Sequence, residues 1–287
     1  MKKLIIVDVQ YLYYKYMFTY MSGRLAKLTC GERDTTMLFY PLKEIKGISD
    51  AWQTDLAVCF DSANPERKDE DPDYKKNRTN KLSSEDRDNI AEIKSILDRI
   101  GIKTYKVDRK EADDLVKTVK ENEQDKYDYI EIYTPDSDLL QLVDKKTEVH
   151  LYKTGKGYTV VNYDNFEEML STKIFKTYVP YNMVMAYKST VGDTSDGIKG
   201  IPKFGPSAFN KWINQYSASI NFELGTSKEY VLQLLRNTIE GSKVIEAEKS
   251  IEKVALRYVE GLEPLENRCT RELREQVFEE YEMYTLV

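Results

Sequence analysis

Nine acidic side chains in this sequence stand where carboxylates could hold a metal ion. Asp8, Asp61, Asp136 and Asp138 each follow closely on a short apolar run. Glu111-Ala112-Asp113-Asp114 opens a helical pattern that puts Glu111 and Asp114 about one turn apart on one face. Asp193 and Asp196 fall three apart in Gly192-Asp193-Thr194-Ser195-Asp196-Gly197. Singly, each has an ordinary explanation: acids in a helix's first turn favour its dipole, and Asp is common in turns. Gathered at one edge they do not, because two carboxylates about 5 Å apart repel by roughly 3 kcal/mol at an effective dielectric of 20. Few Lys or Arg lie near these motifs in sequence, so divalent cations are the expected partners. Oxygen donors without His or Cys suit Mg2+ or Mn2+.

The rest of the composition leaves the chemistry to those acids. His150 is the sole histidine of 287 residues, which removes His-rich metal sites and His-activated nucleophiles. No Gly-rich phosphate loop of the GxGxxG or Walker type is present. Cys30, Cys59 and Cys269 are odd in number and far apart, and read as reduced thiols of a cytoplasmic protein. No apolar run approaches the roughly 20 residues of a membrane span, and Asp8 cuts the N-terminal apolar stretch too short for an export signal. A net charge of −6 speaks superficially against a nucleic-acid partner. Acids concentrated in a cation-filled cleft would reverse that sign locally.

Positioning such groups calls for a sheet edge. Residues 4–7, 53–60, 103–107 and 129–134 read as strands, and residues 147–152 and 157–161 as a hairpin. Residues 10–21, 84–100, 112–122 and 139–143 read as helical. In residues 84–100, Ser84 is the expected N-cap and Ile90, Ile93, Ile96, Leu97 and Ile100 form the apolar stripe. This alternation predicts a mostly parallel sheet flanked by helices, with ligands beyond the carboxyl ends of its strands. From about residue 172 the strand pattern fades, and residues 180–190, 206–216, 229–240 and 243–262 read as helices. An α/β domain over 1–171 with a packed helical extension over 172–287 is the expected organisation.

Six blocks, in this order, resemble the flap endonuclease/5′-nuclease superfamily, especially its phage enzymes and the 5′-nuclease domain of bacterial DNA polymerase I. They are Ile5-Ile6-Val7-Asp8, Val58-Cys59-Phe60-Asp61, Asp73-Tyr74-Lys75-Lys76-Asn77-Arg78, Glu111-Ala112-Asp113-Asp114, Thr134-Pro135-Asp136-Ser137-Asp138, and the run from Val191 to Pro202. Together they span residues 1 to about 213, roughly three-quarters of the chain. The resemblance implies a PIN-like α/β fold with a helical arch over about residues 62–84. It also implies a helix-hairpin-helix-like (helix–three-turn–helix) DNA-binding motif in the C-terminal extension. Two Mg2+ or Mn2+ ions are implied, the tighter held by Asp8, Asp61, Glu111, Asp113, Asp136 and Asp138, the second completed by Asp114, Asp193 and Asp196.

The same resemblance casts Lys75 and Arg78 as cationic stabilisers of the reacting phosphate and Tyr74 as a stacking platform for an unpaired base. Arg67, Lys76 and Lys81 complete the basic residues expected to meet DNA in the arch. Gly200, Lys203, Gly205 and Ser207 belong to the hairpin expected to meet duplex phosphates, whose carbonyls are implied to hold a monovalent ion such as K+. Val9 and Pro135 replace the family's usual glycines, and residues 201–207 lack one common Gly and the usual following Lys. The expected activity is a structure-specific 5′→3′ exonuclease/flap endonuclease on DNA with a 5′ flap, overhang or RNA primer. It is expected to be free-standing, since no polymerase follows within the 287 residues, and to act as a monomer in the cytoplasm, the host's if of phage origin. Two alternatives compete: a catalytically silent junction-binding protein, which should have lost some of the nine acids, and a PIN-type RNase, which should lack the Gly192 block.

Overall fold

The structure, a computed structural model, describes residues 1–72, 74–76 and 82–287. Strand β1 (Lys3–Asp8) leads directly into helix α1 (Gln10–Met21). A small antiparallel pair, β2 (Thr29–Cys30) and β3 (Arg33–Asp34), precedes α2 (Thr36–Ile48) and β4 (Asp55–Cys59). One helical turn, α3 (Arg67–Glu70), precedes α4 (Ser84–Arg99), β5 (Lys103–Tyr105), α5 (Ala112–Glu123) and β6 (Tyr129–Thr134). The hairpin β7 (Thr147–Lys153) and β8 (Gly157–Val161) completes the main sheet, in the order β5-β4-β1-β6-β7-β8. All of its pairings are parallel except β7 with β8.

Alternation of side chains in β1 explains the two-layer burial. Leu4 and Ile6 face a core shared with α5 and the later helices, whereas Ile5 and Val7 face a second core with α1, α2 and α4. The expected N-cap of α4 is corrected by one residue. Ser83 accepts from the Asp86 amide while Asp86 reaches back to the Ser83 amide, so the reciprocal box begins one position earlier than Ser84.

The helical region comprises α6 (Phe166–Met169), α7 (Val184–Val191), α8 (Pro206–Tyr216), α9 (Lys228–Thr238), α10 (Ser242–Val254) and α11 (Arg271–Glu279). Residues of α7 to α10 share one continuous apolar core with β1, β6 and α5. The last helix goes elsewhere: Val277, Phe278, Met283 and Leu286 pack into the opposite core beside α2 and α4. Lys46 and the Trp52 indole hold that C-terminal segment through its carbonyls. No helix among the described residues is long and apolar enough to cross a membrane.

Candidate metal centre

Three neighbouring parallel strands deliver the first acids. Asp8 closes β1 and sits in register with Cys59 of β4, so Asp61 leaves the same edge, and β6 on the other side of β1 leads to Asp136. Thr134 donates its hydroxyl to Asp8 Oδ2 at 3.2 Å. The start of α5 comes up against this edge through the Ala112 amide, which donates to Asp61 Oδ1 at 2.8 Å. Asp8, Asp61, Glu111, Asp113 and Asp136 thereby line a cavity of about 110 Å³, together with Lys75, Tyr11 and Tyr14.

A second group lies on the side of α7. Asp136 caps the tight turn after β6 by accepting from the Asp138 amide at 2.8 Å. Donor oxygens of Asp136, Asp138 and Asp196 come within 4.8 Å of one another. Asp193 joins them through Lys188, whose Nζ lies 2.6 Å from Asp138 Oδ1, 2.8 Å from Asp193 Oδ2 and 3.9 Å from Asp136 Oδ1. The loop carrying Asp193 and Asp196 is pinned by reciprocal amide–carbonyl bonds between Asp193 and Ile198, both 2.8 Å. Its glycines allow backbone to pack on backbone, since Gly192 and Gly200 both have positive φ and a Cβ on Gly200 would meet Gly192 N at 2.5 Å.

Asp114, expected beside Asp193 and Asp196, adjoins the first group instead, with a donor oxygen within 4.8 Å of those of Glu111 and Asp113. Its two oxygens accept from Arg67 at 2.7 and 2.8 Å, and Oδ1 also accepts from the Arg257 amide. Arg67 meets Glu111 Oε2 at 2.6 Å as well and is 3% exposed, so the guanidinium expected to meet DNA is occupied inside the protein. Tyr74 is likewise buried, its hydroxyl directed at Glu111, which leaves no exposed ring face for the stacking platform expected of it. Lys75 remains at the cavity wall, 2.6 Å from Glu111 Oε1. Lys76 is exposed, and Arg78 and Lys81 lie outside the described residues. Gly200 is buried in the turn between α7 and α8, Lys203 and Ser207 are exposed, and Gly205 caps α8.

The electrostatics show how far the protein neutralises itself. Burial and the neighbouring Asp61 and Asp136 push the Asp8 carboxyl up to about 8. Burial raises Asp138 to about 7 in spite of Lys188, and burial with Asp114 raises Asp113 well above the usual range. Glu111 and Asp193 go the other way: burial opposes their charge, but Lys75 and Arg67 in one case and Lys188 in the other outweigh it. Few Lys or Arg lie near these motifs in sequence, but the fold brings Arg67, Lys75 and Lys188 against them. They are nonetheless three cations against nine carboxylates among the described residues, and the deficit shows in Asp8, Asp113 and Asp138. Asp138 Oδ1 is fully buried, with the Lys188 ammonium 2.6 Å away as its charged neighbour. Oxygen-rich, under-neutralised and histidine-free, the donor set fits hard divalent cations.

Sequence reasoning missed Lys188, although a signal existed: it is a lone charge in the apolar stretch Val184-Met185-Ala186-Tyr187-Lys188. Arg67 carried no local signal, since its partners lie 44 and 47 residues away.

Comparison with known proteins adds independent findings. Residues 3–172 match the family model described as 5′-3′ exonuclease, N-terminal resolvase-like domain. A 5′-3′ exonuclease of Mycoplasma pneumoniae is 32% identical over 229 residues, covering 77% of this chain and 75% of that protein. DNA polymerase I of Bacillus subtilis is 28% identical over 219 residues, covering 76% of this chain and 24% of the polymerase. Among solved structures, a T5 protein co-crystallised with metal ions superposes with a TM-score of 0.60 at 14% identity, over 99% of both chains. The catalytic core of Rad2 in complex with a DNA substrate gives 0.53 at 13% identity, over 97% of this chain and 87% of that one. These two likenesses establish a shared fold.

Proposed function

Because the chain belongs to the 5′-3′ exonuclease family, we propose that it is a structure-specific 5′→3′ exonuclease and flap endonuclease that cuts DNA near single-strand/duplex junctions with two divalent ions. The observation that carries this reading is the meeting of Asp8, Asp61, Glu111, Asp113 and Asp136 around one cavity, with Asp138, Asp193 and Asp196 beside it. Bound there, Mg2+ or Mn2+ would supply an activated water and charge neutralisation at the scissile phosphate.

The chain's own groups do the rest. Asp8, Asp61, Asp113 and Asp136 converge on the cavity and would hold the first ion; Asp138, Asp193 and Asp196, with Asp136 shared, would hold the second. Lys75 faces the same cavity and would offset negative charge developing on the phosphate; the same role is proposed for Arg78, which lies outside the described residues. The turn from Gly192 to Gly205 between α7 and α8 would meet duplex phosphates, and its carbonyls would hold a K+. Removal of flaps or RNA primers during replication, by a cytoplasmic monomer, is the role this activity fits. That the nine carboxylates are all present disfavours a silent junction binder.

The test is cleavage of an end-labelled 5′-flap duplex. Cuts at the junction in Mg2+ that vanish on chelation are the expected result. Cleavage that persists in excess EDTA, or attack on single-stranded RNA alone, would overturn the reading.

A further inference from the structure

The one histidine is unused by the carboxylate centre, yet it does not stand alone. On the sheet face that packs against α1 and α2, β6 carries Glu131 and β7 carries Glu148 and His150. Glu131 and Glu148 are cross-strand partners in register. Like charges placed directly opposite each other destabilise a sheet unless something neutral or cationic sits between them. His150 Nε2 occupies that place, 2.6 Å from Glu148 Oε1 and 4.0 Å from Glu131 Oε2. The other Glu131 oxygen faces Lys3 Nζ at 3.1 Å, and Tyr133 donates to Oε2. The imidazole is fixed in orientation by stacking on Tyr133, with ring centroids 4.2 Å apart.

We propose that Glu131, Glu148 and His150 form a second metal site, separate from the carboxylate centre, that takes Zn2+ or a similar late transition-metal dication. The three donor atoms lie within 4.8 Å of one another. Tetrahedral zinc with bonds of about 2.0–2.1 Å needs its ligand atoms about 3.3 Å apart, and the two distances at Nε2 straddle that value. One imidazole with two carboxylates is a zinc donor set, whereas the oxygen-only centre favours Mg2+. Two carboxylates also match the ion's charge, with Lys3 left to its own oxygen of Glu131. The three side chains keep 12–14% exposure. His150 opens on a groove lined by Lys15, Tyr16, Glu44, Tyr133 and Tyr158, through which an ion and a fourth, water ligand can enter. Glu131 precedes Asp136 by five residues, about 16 Å along an extended strand, so the two sites are independent in their ligands. An ion here would tie β6 to β7 and stiffen the strand that delivers Asp136.

The experiment uses the full chain, stripped of metal and then held in a large excess of Mg2+ to fill the carboxylate centre. Zn2+ is titrated calorimetrically, and bound zinc is counted after gel filtration. Wild type is expected to retain one zinc more than His150→Ala and Glu148→Gln, and to melt at a higher temperature with zinc. Co2+ in place of zinc should give tetrahedral visible bands in wild type that His150→Ala lacks. His150→Gln, which preserves a hydrogen bond to Glu148, should melt like wild type without zinc but bind it at least about tenfold more weakly. Flap cleavage in Mg2+ should be the same for all of these. Equal zinc retention by wild type and His150→Gln, or zinc lost on Asp136→Asn but kept on His150→Ala, overturns the proposal.

Discussion

Lys188 holds its buried ammonium 2.6 Å from Asp138 Oδ1, in the middle of the acid group on the α7 side. A lysine that is 2% exposed is tolerable only with counter-charge, and carboxylates this close to one another are tolerable only with a cation. Each therefore answers the other's problem, and the ammonium occupies the kind of place a divalent ion would claim. The protein can fold around its acids before any metal arrives.

Removing that ammonium should make folding depend on metal. Lys188→Met is expected to destabilise the metal-free protein by about 3–5 kcal/mol, the usual cost of leaving a buried partner uncompensated. Mn2+ should recover a larger part of that loss than it adds to wild type. Thermal unfolding with and without Mn2+ measures it, and an identical metal response in both proteins would exclude the counter-ion role.

The raised carboxyls set a pH dependence with a definite sign. Asp8 at about 8 and Asp138 at about 7 hold protons in the folded protein that they would lose when unfolded. Stability from these groups is thus present below the ordinary Asp range and lost as pH rises towards their folded values. Glu111 and Asp193 are depressed and act only in acid, where stability falls as they are protonated. The metal-free protein should therefore melt lower at about pH 8 than at about pH 5.5. Mg2+ should stabilise it more at the higher pH, where protons no longer compete. Melting temperatures in EDTA that rise over this interval would contradict the assignment.

Much of the element pattern was readable from sequence: strands 129–134 and 157–161 and helices 10–21 and 206–216 have the bounds read from pattern alone. Helix α2 was not, since Pro41 and Gly47 interrupt a stripe of Leu38, Leu42 and Ile45 that packs only against the folded core. The division of the acids was not readable either. Asp113 and Asp114 are neighbours in sequence, yet the helical turn sends one towards the cavity and the other towards Arg67. Sequence supplies the ligand types, but only the path of residues 62–72 brings the arginine that claims one of them.

Arg67 and Lys75 should separate in their effects. Arg67→Ala strands Asp114 and Glu111, and is expected to cost about 3–5 kcal/mol of stability, lost packing included. Lys75→Ala removes a group at the cavity wall and should lower the cleavage rate of a bound flap by about tenfold or more, with smaller change in melting. Single-turnover rates alongside melting curves distinguish them. A Lys75→Ala enzyme with full turnover would remove this lysine from the chemistry.

Asp136 sits where the two acid groups meet, lining the cavity and lying within ligand distance of Asp138 and Asp196. Asp136→Asn keeps the shape and the cap on the following turn but removes charge from both groups. Turnover should fall by about three orders of magnitude, the scale of several kcal/mol of lost transition-state stabilisation. Binding of a flap duplex, measured in Ca2+, should persist. An Asp136→Asn protein that cuts within tenfold of the wild-type rate would refute a shared ligand.

The two glycines behind Asp193 and Asp196 give the most local test of whether acid placement limits the rate. A Cβ on Gly200 would lie 2.5 Å from Gly192 N and 2.6 Å from Thr190 O, and the residue's positive φ adds strain. Neither contact is with a side chain that could swing away, so the loop itself must move. Displacement of the loop by about 1 Å would carry both acids with it, and misplacement on that scale can cost about a hundredfold in rate. Gly200→Ala should therefore lose turnover heavily while the sheet stays folded. Gly205→Ala, where an added Cβ meets nothing within 4 Å and φ is −83, should cut at nearly the wild-type rate. Comparable flap-cleavage rates for the two variants would mean that the geometry of Asp193 and Asp196 does not limit the reaction.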